Sequence, residues 1–447
     1  MYRLILHAIA FILFVAHGAA YGQDAAPISG QSLTLEQAIA LAMHNNHKVK
    51  IAELGVGMAE DELAATRTYR RPSMQFYALF SQQLVNQDSN ITNPLTGIIP
   101  GLGPFFSISA PRRPTAIFGG QVLEPLSQQH RIGLNIEQAK VGIELMREEV
   151  RSREQSTVDE VKRSYYGILQ TQSSLDSLQE SIKLYRELDR VTADYVAQKV
   201  SLKSDSLDVK TRLAKAEYEA LNQTNQLATE KEQLNNLLGR DVRTDFKVSV
   251  VANANDFSID LASARSRALD QRPEVREARL KIRQAELDRR IKKSEYIPDV
   301  SVGLTTLTLR NFDNIIPKNF ASIGVAVKWE IFDWGRKKNE LAEKDKTIEQ
   351  AKNDLYETES NVLIDVGDKV RKLQQTGQAL VVAKLERETA REVLRVNTNK
   401  YKLMAGLLSD VLKSQASLAE ADDHYQQALL GYWTTKARFE AAMGEDK

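Results

Sequence analysis

The chain has 447 residues, 42% hydrophobic and 27% charged, the composition of a large folded protein and not of a disordered one. Its 60 lysines and arginines against 59 acids leave a formal charge of +1, so no global field draws in nucleic acid or an acidic substrate. Cysteine is absent, which removes disulfides, thiolate metal sites, thiol nucleophiles and a lipid-modified N-terminal cysteine.

At the N-terminus, Arg3 precedes the apolar stretch Leu4 to Val15, and Ala20-Tyr21-Gly22 supplies small residues at a cleavage spacing, so residues 1–22 read as a signal peptide. As a membrane anchor the stretch is too short and carries His7. No later segment approaches the roughly 18 consecutive apolar residues of a spanning helix, which leaves any membrane crossing to strands.

The mature chain then states one plan twice. In the first copy, 23–240, a helix from Thr34 is followed by Pro72, a strand over 73–82, a long Pro/Gly loop and a strand over 114–125. A very long helix follows, with no proline from Ile136 to Lys199, then a turn near 199–205 and a shorter helix to Gly239. Residues 241–260 are an insertion between the copies. The second copy, 261–447, repeats the order with strands over 299–309 and 319–332, a helix from Lys337 to Lys402, a turn near 403–410 and a final helix. Leu35 lies over Leu261 and Pro72 over Pro298 at one spacing, whereas Leu238-Gly239 lies over Met443-Gly444 and Asp205 over Asp410 at another, 21 residues shorter. The difference falls between Pro72 and Glu124, as expected of two strand hairpins (72–125 and 298–332) with unequal loops.

In the last strand Ile323, Val325, Val327, Trp329 and Ile331 alternate with Ser322, Gly324, Ala326, Lys328 and Glu330; Val300, Val302 and Leu304 alternate similarly. One face suits lipid and the other water, although an ordinary antiparallel sheet on a core alternates the same way. Four strands are too few for a membrane barrel, which begins at about eight, so several chains must contribute. The long helices, near 70 residues each, span about 105 Å at 1.5 Å per residue. The segments Asp205 to Gly239 and Leu261 to Lys293, stacked end to end, are expected to match that length. A tube built on a helical coiled coil follows, with the turns about 100 Å from the strands.

In aggregate these residues resemble the TolC-like outer-membrane efflux family over essentially the whole mature chain. The carriers are Leu33 to Val49, the junction Trp329-Glu330-Ile331-Phe332-Asp333-Trp334-Gly335-Arg336, the repeat ends Asn235-Asn236-Leu237-Leu238-Gly239 and Ala442-Met443-Gly444, and Leu407-Leu408-Ser409-Asp410-Val411-Leu412. The resemblance implies a mostly α protein with membrane β-structure: a homotrimer in outer-membrane lipid, four strands per protomer closing a twelve-stranded barrel above an α-helical tunnel in the periplasm. It further implies a passive exit duct of a tripartite efflux or type I secretion system, for small molecules or proteins. Its partners are then a periplasmic adaptor (membrane-fusion) protein and an inner-membrane pump of RND, ABC or MFS type. No cofactor and no nucleic acid enter this reading.

The two helical turns then form a periplasmic mouth, where Asp205 and Asp410 from each copy ring a constriction that repels anions and favours cations. Equally, each aspartate can be a helix N-cap after a turn. The family often has glycine six residues before each aspartate; this chain has Lys199 and Met404, with Gly406 nearby, and Lys199 or Lys203 offsets part of the negative charge. Trp329, Phe332 and Trp334 match an aromatic girdle at the membrane interface, with core packing as the alternative for Trp334. Trp433 reads as core.

An enzyme or metal site has little to start from. Of the histidines that remain after cleavage, His44, His47, His130 and His424, only the first two are close, and a zinc or copper site needs more donors. A polar helix end accounts for that pair. No Gly-rich phosphate loop, serine elbow or metalloprotease helix motif occurs. A different class, a soluble periplasmic coiled-coil scaffold or adaptor, shares the helices but lacks strand hairpins at matched spacings.

Overall fold

A computed structural model describes residues 32–444 apart from 83, 86, 93–104, 111–113, 250–259 and 312–317. The expected signal peptide and half of the 241–260 insertion lie outside the described residues. The first copy runs β1 (Ser32–Leu33), α1 (Leu35–Asn45), α2 (His47–Thr68), β2 (Ser73–Gln82), β3 (Gln87–Thr92), β4 (Phe105–Ala110), β5 (Pro114–Pro125), α3 (Gln129–Ala197) and α4 (Lys203–Leu237). After β6 (Lys247–Val248), the second copy runs α5 (Leu261–Gln271), α6 (Pro273–Ser294), β7 (Asp299–Arg310), β8 (Asn319–Lys328), α7 (Arg336–Lys402) and α8 (Leu408–Ala442).

Local chemistry starts and stops these helices. Thr34 opens α1 with a capping box: its hydroxyl accepts from the Gln37 N–H, and Gln37 Oε1 accepts from the Thr34 N–H. Asp260 opens α5 by accepting from the Ala262 and Ser263 N–H groups. The break after α1 is made by Asn46, whose side chain caps α2 at the Lys48 and Val49 N–H groups. In the second copy the same break is made by Pro273 at the first position of α6, where its missing N–H costs nothing. Different side chains thus give one bend.

α3 and α7 hold 69 and 67 residues, which at 1.5 Å per residue makes each about 100 Å long. The shorter helices line up beside them, but in a different order from that expected. Asn46 Nδ2 donates to the Leu237 carbonyl at 2.7 Å, so α4 is continued by α2 of its own copy and not by Leu261 to Lys293. Gly444 meets Gln271 in the same way, so α8 is continued by α6.

The cores repeat with the sequence. Ala38, Ala42, Val161, Tyr165, Ile168, Leu234 and Leu238 pack as one buried cluster. Their counterparts Ala264, Ala268, Val366, Val370, Leu373, Phe439 and Met443 pack as another. Trp433 touches both clusters and stacks on Tyr166 at 5.6 Å between ring centres, so it is core, as expected, and joins the copies. Tyr165 stands where the second copy has Val370. Its hydroxyl lies 2.8 Å from the Leu33 carbonyl and accepts from the Ser249 N–H at 3.0 Å, which holds the short parallel pair β1–β6 against the first copy.

The four expected strands form one antiparallel sheet in the order β2-β5-β7-β8. Register puts Met74, Val122, Leu304 and Ile323 in one row across it, and the next row, on the opposite face, is Gln75, Gln121, Thr305 and Ser322. β8 stops at Lys328, not at 332, because its partner β7 begins at Asp299, directly after Pro298, and offers no ladder beyond. The long loop between β2 and β5 is not wholly irregular either: β3 and β4 pair within it.

Candidate functional site

The first candidate is the pair of helical turns. Each long helix ends in a Schellman motif: Val200 N–H reaches the Tyr195 carbonyl at 3.0 Å, and Ala405 N–H reaches that of Lys400 at 2.8 Å. The motif requires a left-handed residue, and Lys199 (φ 61°) and Met404 (φ 55°) take that position. That requirement explains why glycine suits it. Gly406 does not take it; it sits where a Cβ would lie 2.9 Å from Lys400 Cβ. Replacing Lys199 and Met404 by glycine relieves about 1–2 kcal/mol of strain at each turn against roughly 0.5–1 kcal/mol of added chain entropy. The double variant is therefore expected to unfold at a slightly higher temperature, and a clear fall would contradict the strain argument.

Neither aspartate is an N-cap. The caps are Leu202 and Leu407, and Asp205 and Asp410 are the third residues of α4 and α8. Asp205 reaches back to the Leu202 N–H at 3.2 Å and accepts from Ser201 Oγ at 2.7 Å, which leaves it half-buried. The residue in register with Ser201 in the second copy is Gly406, which has no hydroxyl, and the Asp410 carboxylate is exposed. Two positions that are equivalent in sequence thus differ physically: one carboxylate is tethered, the other open to solvent. Lys203 is the first residue of α4, and Lys199, Lys203 and Met404 are all exposed.

The turns also carry apolar side chains for which no role was expected from the sequence. Val200, Leu202, Leu403 and Leu407 are exposed beside Met404. The register signal was available, since Leu202 and Leu407 occupy matched positions in turns that need no leucine. Behind them Tyr185, Leu188, Val209, Tyr401, Val411 and Leu412 form a core shared by both helical hairpins. Farther along, α3 meets α8 through polar pairs: Gln415 Nε2 donates to Ser181 Oγ at 2.8 Å, Gln426 Nε2 to Ser173 Oγ at 2.5 Å, and Lys162 Nζ to Glu440 at 2.7 Å.

The second candidate is the junction after β8. Trp329, Phe332 and Trp334 are all exposed, Trp334 at 87%, so core packing does not account for it within the protomer. Phe332 and Trp334 meet edge to face at 4.7 Å between ring centres. Trp334 (φ 55°) and Gly335 (φ 82°) are consecutive left-handed residues, and Asp333 caps the start of α7 through the Gly335 and Lys337 N–H groups. His44 and His47 are not a helical pair, because His44 lies in the last turn of α1 and His47 begins α2. The His44 ring bonds Asn45 Oδ1 at 2.9 Å.

The sequence profile described as outer membrane efflux protein matches residues 38–240 and 264–445, both copies of the repeat. No curated protein matches by sequence. The fold is similar to that of the outer membrane protein VceC of Vibrio cholerae (14% identity, 92% of this chain and 96% of that chain, TM-score 0.71). It is also similar to the CmeC outer membrane channel of Campylobacter jejuni (14%, 92% and 86%, 0.71). The open-state MtrE outer membrane channel of Neisseria gonorrhoeae is a further likeness (17%, 92% and 88%, 0.72). This fold, matched along both copies by one profile, sets the scaffold and adaptor alternative aside, and the chain belongs to the outer membrane efflux protein family.

Proposed function

We propose that three copies of this chain close one barrel and form a passive duct, which an inner-membrane pump drives through a periplasmic adaptor. One observation carries the reading: the β2-β5-β7-β8 sheet carries an exposed, mainly apolar face, and among the described residues its two edge strands, β2 and β8, have no outer partners within the protomer. Such a sheet is covered only if lipid meets the apolar face and the edges pair with other copies. Residues 23–240 and 261–447 then act as two pseudo-equivalent wall segments around the duct, with 241–260 as a mid-length belt. The helices, about 100 Å long, extend through the periplasm. Trp329, Phe332 and Trp334 lie at the inner rim of the barrel, where exposed aromatic rings favour the interface. The chain itself supplies no chemistry and no energy. Recovery from outer-membrane fractions as a heat-modifiable trimer is expected, and recovery as a soluble monomer would overturn the reading.

The turns are the mouth of the duct. Exposed Val200, Leu202, Leu403, Met404 and Leu407 offer an adaptor an apolar surface, edged by Lys199 and Lys203. Asp410, untethered, is the carboxylate free to face passing ions; Asp205 holds its own helix start. In planar bilayers Asp410→Ala should therefore lower cation selectivity more than Asp205→Ala does. Asp205→Ala should instead loosen residues 200–206 and speed their amide exchange. Equal selectivity changes in the two variants, or none in either, would remove the carboxylates from the gate.

A further inference from the structure

Within one protomer the two copies of the repeat meet along a single helical seam: α3 of the first packs on α6 of the second near the sheet, and on α8 toward the turns. The repeat makes α7 the counterpart of α3, and α2 and α4 the counterparts of α6 and α8. A second seam, α7 on α2 and α4, is therefore written into the sequence. Among the described residues the protomer does not form it, because its own α2 and α4 lie on the far side of α3. One free edge of the helical layer is α2 with α4, and the other is α7. The sheet has its edges on the same sides, since α2 leads into β2 and β8 leads into α7.

The two free edges carry side chains that suit each other. In the internal seam Glu144 meets Arg283 at 3.5 Å and Glu148 meets Arg276 at 3.6 Å. Arg151 and Glu277, beside those pairs, have Tyr356 and Ile51 as counterparts, both 68% exposed. Toward the turns Gln426 bonds Ser173; the counterpart of Gln426 is Leu221, and one turn farther along Tyr218 stands level with Val381, all three exposed. Polar positions of the closed seam are thus apolar on the open edges, the reverse of what contact with water favours. The charges agree as well. Where Gln415 Nε2 donates to Ser181 Oγ, the counterparts are Lys210 and Glu386; where Leu287 and Val141 share a buried cluster, they are Asp61 and Lys346. Both are exposed pairs of opposite sign. Among the described residues Lys210, Asp61 and Lys346 have no ion pair of their own, and Glu386 has only His424, at 3.8 Å.

We propose that α7 of one protomer docks on α2 and α4 of the next in the register of the internal seam. Tyr356 then meets Ile51, Val381 meets Tyr218 and Leu221, and the ion pairs Glu386–Lys210 and Lys346–Asp61 form between protomers. The inference rests on the three-fold reading above and names the surfaces that assemble. Unlike edges meet, so the contact is head to tail and closes as a ring. Another helical protein would cover the apolar residues equally well, but the register of the charges and the adjoining sheet edges belong to a second copy of this chain.

The chain has no cysteine, so introduced thiols report alone. Ile51→Cys with Tyr356→Cys, treated with a short bis-maleimide in isolated membranes, should give cross-linked dimers and trimers on denaturing gels. Inside one protomer α3 and α6 hold the two positions about 25–30 Å apart, beyond the reagent's reach. Tyr218→Cys with Tyr356→Cys, about 35–40 Å apart along the seam, should give none. Glu386→Lys should lower the temperature at which the trimer dissociates, and adding Lys210→Glu should restore it. An intact trimer that cross-links equally through both cysteine pairs, or through neither, would overturn the seam and leave the duct standing. Independent effects of the two charge reversals would overturn it as well. Absence of any trimer in the parent protein would remove the three-fold reading, and the seam with it.

Discussion

Ile323→Arg is expected to abolish recovery of the protein from the outer membrane, whereas Ser322→Arg, one residue away, is expected to be tolerated. Ile323 is 78% exposed in the protomer and stands mid-strand in β8, in one row with Leu304, Val122 and Met74. A charge on the lipid face near the bilayer centre costs about 2–4 kcal/mol. In a three-fold barrel that substitution recurs in every copy, for roughly 6–12 kcal/mol, comparable with the whole stability of a typical domain. Ser322 points to the other face with Gln75, Gln121 and Thr305, where arginine remains hydrated. Outer-membrane fractionation of both variants decides the matter. If Ser322→Arg were lost and Ile323→Arg retained, the faces of the sheet would be reversed.

Gly239→Ala is expected to lower stability by about 3 kcal/mol or more, well beyond the cost of strain alone. Gly239 has φ 64°, and a Cβ there would lie 2.3 Å from the Asn45 carbonyl oxygen and 2.6 Å from its carbon. Left-handed strain accounts for about 1–2 kcal/mol. The rest comes from pushing apart two backbones that Asn46 ties together through its bond to the Leu237 carbonyl. Gly335→Ala is the control, since its φ of 82° is also positive but a Cβ there meets open space. It should cost only the strain. Thermal unfolding of the assembled protein separates the two, and similar losses would show that the close approach at Asn45 yields easily.

The repeat was legible in sequence because its spacing is a property of the whole chain and survives local irregularity. Strand positions were legible because alternation marks a sheet with two unlike faces, as at Ile323, Val325 and Val327. The β3–β4 hairpin was not, because Gln87–Thr92 and Phe105–Ala110 alternate weakly inside a segment rich in proline and glycine. Nor was β1–β6, where a two-residue pairing is too short to show a period. The overlong reading of β8 has a similar cause: alternation continues through Trp329 and Ile331, but pairing ends where the partner strand begins.

By itself the sequence determined the order of elements, the two-fold plan and the length of the long helices, since helical rise and side-chain period are local rules that need no partner. Contact between distant residues decided the rest. Which short helix continues which depended on Asn46 finding the Leu237 carbonyl, 191 positions away. The unequal fates of Asp205 and Asp410 turned on a hydroxyl present at Ser201 and missing at Gly406. Arg240 reads in sequence as an ordinary surface charge after a helix; only the fold sets its guanidinium against the Asn235 side-chain oxygen and the Phe246 ring.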